Sequence, residues 1–263
     1  MKLALLVKYD GTPFEGFQAQ PSGNTVQQHL TRAASSLFGF ECSVTGCSRT
    51  DSGVHATGFV ATVEPAGGIS DGWCRIPPEK LHRAIRPYLV PEIAVIGCAA
   101  VPDDFHPRYS AVGKRYVYLM RDMPDVDPFM RDRVWQLPHR IDCGGIARMN
   151  ECAAQFRGSH DFSGFMATGS KITDAVRCVS EAEVFRRPDG IIAFTVAADG
   201  FLYNMVRIMA GTLAGAALGT IDPERVGAAI DTGDRTLAGA TAPPSGLYLE
   251  RVFYPFPLDF LCE

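Results

Sequence analysis

The densest polar cluster in the chain is Gly46-Cys47-Ser48-Arg49-Thr50-Asp51-Ser52-Gly53-Val54-His55-Ala56. Arg, Asp and His set among small residues can expose a carboxylate while letting backbone approach a ligand closely. A polar turn whose Asp caps a local amide uses the same residue types. Two further chemistries draw on these side chains. Metal binding by Asp51, His55 and His106 rests on Asp-x-x-x-His, a weak spacing outside a helix, with no third ligand in register. A Ser–His–Asp arrangement from Ser48, Ser52, His55 or His82 lacks the G-x-S-x-G elbow. Gly11 and Gly16 make no dinucleotide fingerprint, and there is no Walker sequence. What stands is a carboxylate-centred site with no metal and no cofactor expected.

A second run, Phe105 to Arg121, carries Arg108, Lys114, Arg115 and Arg121 with no acid, interleaved with Tyr109, Tyr116 and Tyr118. Basic groups meet phosphates and aromatic faces stack on bases, so the run is a candidate nucleic-acid strip. A core strand with a solvated edge reads the same way. If it is a strand, Arg115, Val117 and Leu119 face one side and Tyr116, Tyr118 and Met120 the other. A third candidate is Arg207, inside the apolar run Phe201 to Gly211. A guanidinium there must reach water or meet a partner. Gly211, Gly215 and Gly219 recur every four residues and suit close packing of a helix face.

These residues need elements to carry them. Lys2–Tyr9 reads as a strand ended by Asp10-Gly11. Thr25 and Gln28 form a capping box for a helix with Val26, Leu30, Ala33, Ala34 and Leu37 on one face and Gly39 as its stop. Strands follow at Cys42–Thr45, Gly58–Glu64 and Ile93–Val101, with a helix over Glu79–Leu89 interrupted by Pro87. Further on, Arg115–Met120 is a strand and Ile146–Phe156 a helix. Glu181–Arg186 and Ile191–Ala197 form a hairpin around Pro188-Asp189-Gly190. Leu202–Leu218 is the most apolar helix, Asp222-Pro223-Glu224 begins another, and Tyr248–Tyr254 is a closing strand. Strands and helices mixed without strict alternation predict an α+β fold, divided into domains 1–105 and 106–263.

The composition bounds the function. With 25 Lys+Arg against 29 Asp+Glu the net charge is −4, and 46% of the 263 residues are hydrophobic, which excludes a disordered chain. Net acidity does not exclude RNA, because total charge says little about where charges lie. The eight cysteines include no C-x-x-C pair, so zinc knuckles and thioredoxin-like sites are unsupported. Met1–Val7 is too short for a signal-peptide core, and the apolar stretch Ile208–Gly219 is too short for a membrane span. A cytoplasmic protein with reduced thiols and no membrane association is expected.

Taken together, these runs resemble the TruA-type tRNA pseudouridine synthases. The resemblance runs in order through Tyr9-Asp10-Gly11 with Gly16-Phe17-Gln18, Thr25-Val26-Gln27, and Arg49 to Ala56. It continues through Phe105 to Tyr118, Asp161-Phe162 and Asn204-Met205-Val206-Arg207. Leu237-Ala238-Gly239, Thr241-Ala242-Pro243 and Gly246-Leu247-Tyr248-Leu249 complete it. It implies conversion of uridine to pseudouridine at positions 38–40 of the tRNA anticodon stem-loop, without cofactor, by a homodimer. Asp51 matches the catalytic nucleophile, which attacks uracil C6 or ribose C1′. Arg207 matches the arginine that pairs with it, and Tyr116 the tyrosine that stacks on the target base. Arg49 matches the arginine that holds the flipped nucleotide or fills its place. His55, Arg108 and Arg115 are further substrate-binding candidates, His55 in a supporting role. The implied fold has two similar halves, each a mainly antiparallel sheet with helices on one face, flanking a central cleft. Phe17 stands where Trp is usual, Cys47-Ser48 where Ala-Gly is commoner, and Ser52 where Ala is frequent. None of these removes a catalytic group. The alternative is a non-catalytic RNA-binding or folding protein that uses the Arg/Tyr strip 108–121.

Overall fold

Residues 2–68, 72–169 and 173–258 are described by the computed structural model. The chain divides into two units, Met1–Val112 with Leu249–Glu263, and Gly113–Tyr248. Set beside the expected domains 1–105 and 106–263, these units break the chain twice, because the last strand returns to the first unit.

In the first unit, strand β1 (Lys2–Tyr9) is central. It runs antiparallel to both β3 (His55–Pro65) and β4 (Ile93–Val101), and buries Leu3, Ala4, Leu5 and Val7. The edge of β3 is shared. Strand β2 (Cys42–Gly46) pairs with Ala61–Pro65, and β10 (Leu247–Phe253) also lies beside β3. Gly58 makes that neighbour possible, since a Cβ there would overlap the carbonyl of Glu250. Helix α1 (Val26–Phe38) forms as its signals predict. Thr25 Oγ1 accepts from the Gln28 N–H, and Gly39 closes the helix at φ 78° with its N–H on Ser35 O. Helix α2 (Pro78–Ile85) is shorter than the run that predicts it, because Pro87 falls in a 3₁₀ turn, Arg86–Tyr88. The core includes Phe59, Leu30, Leu81 and Ile85.

The second unit is a sheet in the order β5 (Gly113–Arg121), β9 (Ile192–Ala198), β8 (Val176–Arg186), β7 (Gly158–Asp161), antiparallel throughout. The two-residue strand β6 (Trp135–Gln136) joins β5 in parallel and makes the sheet mixed. The β8–β9 hairpin turns through Gly190 at φ 84°. Helix α3 (Cys143–Gln155) starts before Ile146, because Asp142 caps it through a 2.7 Å bond from the Gly145 N–H. That cap outweighs the poor helix propensity of Gly144 and Gly145. Helix α4 (Met205–Ala217) is shorter than Leu202–Leu218. Gly219 therefore lies beyond its end at φ 70°, not on a smooth face. Helix α5 (Pro223–Thr232) begins with Asp222 in the N-cap position, although its side chain makes no cap bond. The fold class is α+β.

Strand β5 alternates as expected. Tyr116, Tyr118 and Met120 point into the core, with Tyr118 fully buried. Arg121 is buried too and bound to Asp125. The strip 108–121 is therefore not one RNA-facing surface. Its basic and aromatic residues are distributed between a core strand and the loop before it.

Candidate functional site

The loop between β2 and β3 is shaped by the segment that follows β1. The Phe17 N–H donates to Thr50 O (3.1 Å), the Tyr9 hydroxyl lies 2.9 Å from Thr50 Oγ1, and Ser52 Oγ donates to Phe14 O (3.1 Å). Two glycines allow this approach. A Cβ on Gly11 would overlap Val54 O, and Gly16, at φ 88°, would collide with Thr50 O. Phe17 is buried and stacks on Phe59 with ring centroids 4.3 Å apart, so Phe at this position still fastens the turn to the sheet. Thr50 is thus drawn inward, Asp51 is half-buried and Arg49 faces solvent.

His55 lies at the start of β3 and is 1% exposed. Its Nδ1 is 2.9 Å from the Gly11 N–H and 3.2 Å from Asp10 Oδ1. Asp10 Oδ1 already accepts from the Thr12 N–H and hydroxyl, whereas the Gly11 amide can only donate. We therefore assign Nδ1 as the acceptor of the Gly11 N–H. His55 holds the Gly11 turn. The Ser52 hydroxyl is given to Phe14 O, which takes it out of a Ser–His–Asp arrangement. No group of three His, Cys, Asp or Glu side chains among the described residues could hold a metal ion.

Beside this loop is a pocket of about 190 Å³. It is lined by Phe17 and Gln18 from the first turn, Gln27 from α1, Ser48 and Arg49 from the loop, and His106, Arg108 and Tyr109 from the segment before β5. Arg49 and Arg108, far apart in sequence, thus share one hollow. Gln27 is committed to the fold, accepting from Ala19 N–H (2.7 Å) and donating to Val44 O (2.8 Å). Burial and the nearby Lys2 lower the pKa of His106, so its ring is neutral near pH 7.

The second unit carries the other candidates. Tyr116 is 7% exposed and meets Phe201 edge-on, with centroids 4.9 Å apart. Arg115 forms an ion pair with Glu181, which ties this basic residue to β8. Arg207 lies in the first turn of α4. Its Nε donates to Ala242 O and its Nη1 to Asn204 Oδ1, both at 2.8 Å, and the Ala242 N–H donates back to Arg207 O. Asn204 takes the left-handed conformation at φ 60°, which Asn tolerates better than most residues. The next carbonyl, Pro243 O, accepts from the buried Tyr118 hydroxyl at 2.7 Å. Burial raises the pKa of Tyr118, against the opposing effect of Arg207. Thr241-Ala242-Pro243 is therefore a backbone clamp joining α4 to β5. Gly211 and Gly239 admit the segment, since a Cβ on Gly211 would overlap Ala240 O and one on Gly239 would meet the α4 backbone. Gln18, passed over in the sequence, also lines the pocket. It lies inside a recognised motif, but nothing local distinguishes it from its neighbours.

Comparison with known proteins shows what this chain is similar to. The sequence model described as tRNA pseudouridine synthase matches residues 5–110 and 152–255. The tRNA pseudouridine synthase A of Ruminiclostridium cellulolyticum is 41% identical over 96% of this chain and 99% of its own. That of Bacillus subtilis is 37% identical over 97% and 99%. Among solved structures, a chain of a Cbf5-Nop10-Gar1 complex aligns with 96% of this chain and 59% of its own, at 14% identity and a TM-score of 0.34.

Proposed function

Because this chain belongs to the tRNA pseudouridine synthase family, we propose that it isomerises uridine to pseudouridine at positions 38–40 of the tRNA anticodon stem-loop, with Asp51 as nucleophile. The observation that carries this reading is the loop itself. Thr50 and His55 are drawn into the fold on either side of Asp51, leaving that carboxylate half-buried beside an exposed arginine. A nucleophile on so tightly tied a backbone keeps its orientation without help from the substrate.

The carboxylate attacks uracil C6 or ribose C1′, the N1–C1′ bond breaks, and the base turns and rejoins C1′ through C5. The bond to the carboxylate then breaks, freeing Asp51, the C5 proton leaves, and N1 ends protonated. The reaction is redox-neutral and rearranges an uncharged base, so the reading requires neither metal nor cofactor. Arg207, aligned by Ala242 O and Asn204, serves as the guanidinium that orients Asp51 and stabilises its charge. Tyr116 serves as the ring on which the target base stacks. Arg49 holds the nucleotide extruded from the stem, an extrusion that costs a few kcal/mol. This reading includes a cleft between two similar halves and a homodimer acting in the cytoplasm.

Transfer RNA tritiated at uracil C5 tests the proposal. Incubation with the protein should release tritium to water in proportion to U38–U40. No release above a blank from several such tRNAs would sink it. The non-catalytic alternative keeps only part of its strip, since Tyr118 and Arg121 are buried while Arg108 and Tyr109 line the pocket.

A further inference from the structure

Tyr109 is 77% exposed, yet it is held in an ordered loop. His106 Nδ1 accepts from the N–H groups of Arg108 (3.1 Å) and Tyr109 (3.3 Å). The His106 N–H donates to Ser110 Oγ (3.1 Å), and the Ser110 N–H returns to His106 O (2.9 Å). The His106 and Tyr109 rings lie against each other, with centroids 4.3 Å apart at 38°. A large aromatic face is therefore held rigidly in water, where it contributes little to folding.

Its surroundings match nucleotide chemistry. The pocket it borders contains two guanidinium groups, an imidazole, two side-chain amides and no carboxylate. Neither Arg49 nor Gln18 has a side-chain hydrogen bond or ion pair among the described residues, so both are available to a ligand. Arg108 lies with Cζ 5.9 Å from the Tyr109 ring centroid, and its cation reinforces the aromatic platform. Asp51 does not line this pocket. A base bound here is accordingly not the one undergoing reaction.

We propose that Tyr109, backed by His106, is a stacking platform for an unpaired RNA base neighbouring the target nucleotide, with Arg49 and Arg108 holding the adjoining phosphates. The proposal rests on the synthase reading for the identity of the RNA, not for the stacking itself. Stacking on an aromatic side chain tolerates any base, because every base has a π-face. The subsite thus grips the unpaired loop beside the stem without imposing a sequence.

The test compares Tyr109→Ala, Tyr109→Leu and Tyr109→Phe in equilibrium binding to an anticodon stem-loop RNA with 2-aminopurine at an unpaired loop position. The Ala and Leu variants should each lose about 5- to 150-fold in affinity, the range expected for one stacked base. The Phe variant should bind within about twofold of the parent. Wild type and Phe should quench the 2-aminopurine fluorescence on binding, and Ala should not. Unchanged affinity in Tyr109→Ala, equal losses in Phe and Ala, or the same loss on a blunt duplex without unpaired bases would each overturn the subsite. Tritium release by the wild type is scored separately. Failure of the synthase reading would appear there while leaving the binding comparison intact.

Discussion

The Arg49–His55 loop and the first turn of α4 both present a proposed site residue from a tightly tied backbone, but they distribute their polar groups in opposite ways. In the loop, the residues beside Asp51 carry the restraint. Thr50 is bound to Tyr9 and His55 to Gly11, while Arg49 keeps its guanidinium for solvent. In α4, Arg207 itself is part of the restraint, with Nε on Ala242 O and Nη1 on Asn204. One arginine can follow a ligand, and the other is already oriented before one arrives. Preorganised donors act on a charge without reorganising at the moment of reaction, whereas an exposed arginine contributes attraction and screening-sensitive affinity.

Substitutions can break this contrast. The largest effect is expected from Asp51→Ala, which should lower tritium release by about 10⁴-fold or more while tRNA affinity changes little. Comparable losses of affinity and turnover would make the carboxylate structural. Arg207→Met should cost on the order of 10²-fold in single-turnover rate through misorientation. Arg207→Lys should recover only a small part of that loss, because an ammonium cannot reproduce the planar fork that meets Ala242 and Asn204. Near-normal turnover in the Met variant would remove the pairing assignment.

Arg49→Ala should weaken tRNA binding several-fold and reduce the slope of log affinity against log salt by about 1, as expected for one lost phosphate contact. Its urea midpoint should not move. A drop in stability there would mean that Arg49, like Arg207, belongs to the scaffold.

The smallest effect concerns His106. Its pKa lies below the ordinary 6.5, chiefly through burial, with Lys2 adding to the depression. As pH falls, the unfolded chain takes up the proton first. The stability contributed by the neutral ring is therefore complete above about 6.5 and lost as pH falls through the folded value. Urea midpoints measured from pH 8 down to 5.5 should fall more for wild type than for His106→Gln. Parallel curves would show that the ring does not hold the Tyr109 loop through its neutral form.

Much of the local architecture was legible in the residues. Thr25 and Gly39 bounded α1, and Pro188-Asp189-Gly190 marked the β8–β9 hairpin. Other elements left no comparable trace. Strands β6 and β7 are two and four residues long and gain their pairing from neighbours already in place. The start of α3 depends on one side-chain cap ahead of two glycines. At the candidate site, residue type and motif were enough to single out Arg49, Asp51 and Arg207. The partners that aim them were not, because Thr50 meets Tyr9 across 41 residues and Arg207 meets Ala242 across 35.

The tyrosines of the basic run show where the division lies. The sequence alone determined their alternation with cations, the helix caps, and the motifs that carry the family. Such signals act over a few residues, through hydrogen bonds and side-chain periodicity. Whether a ring meets water or protein was decided by tertiary structure. Tyr116 and Tyr118 fall on the buried face of β5, while Tyr109, a few residues earlier, stands in solvent beside two arginines. Burial depends on which distant segments pack against a side chain, and no spacing within the run specifies them.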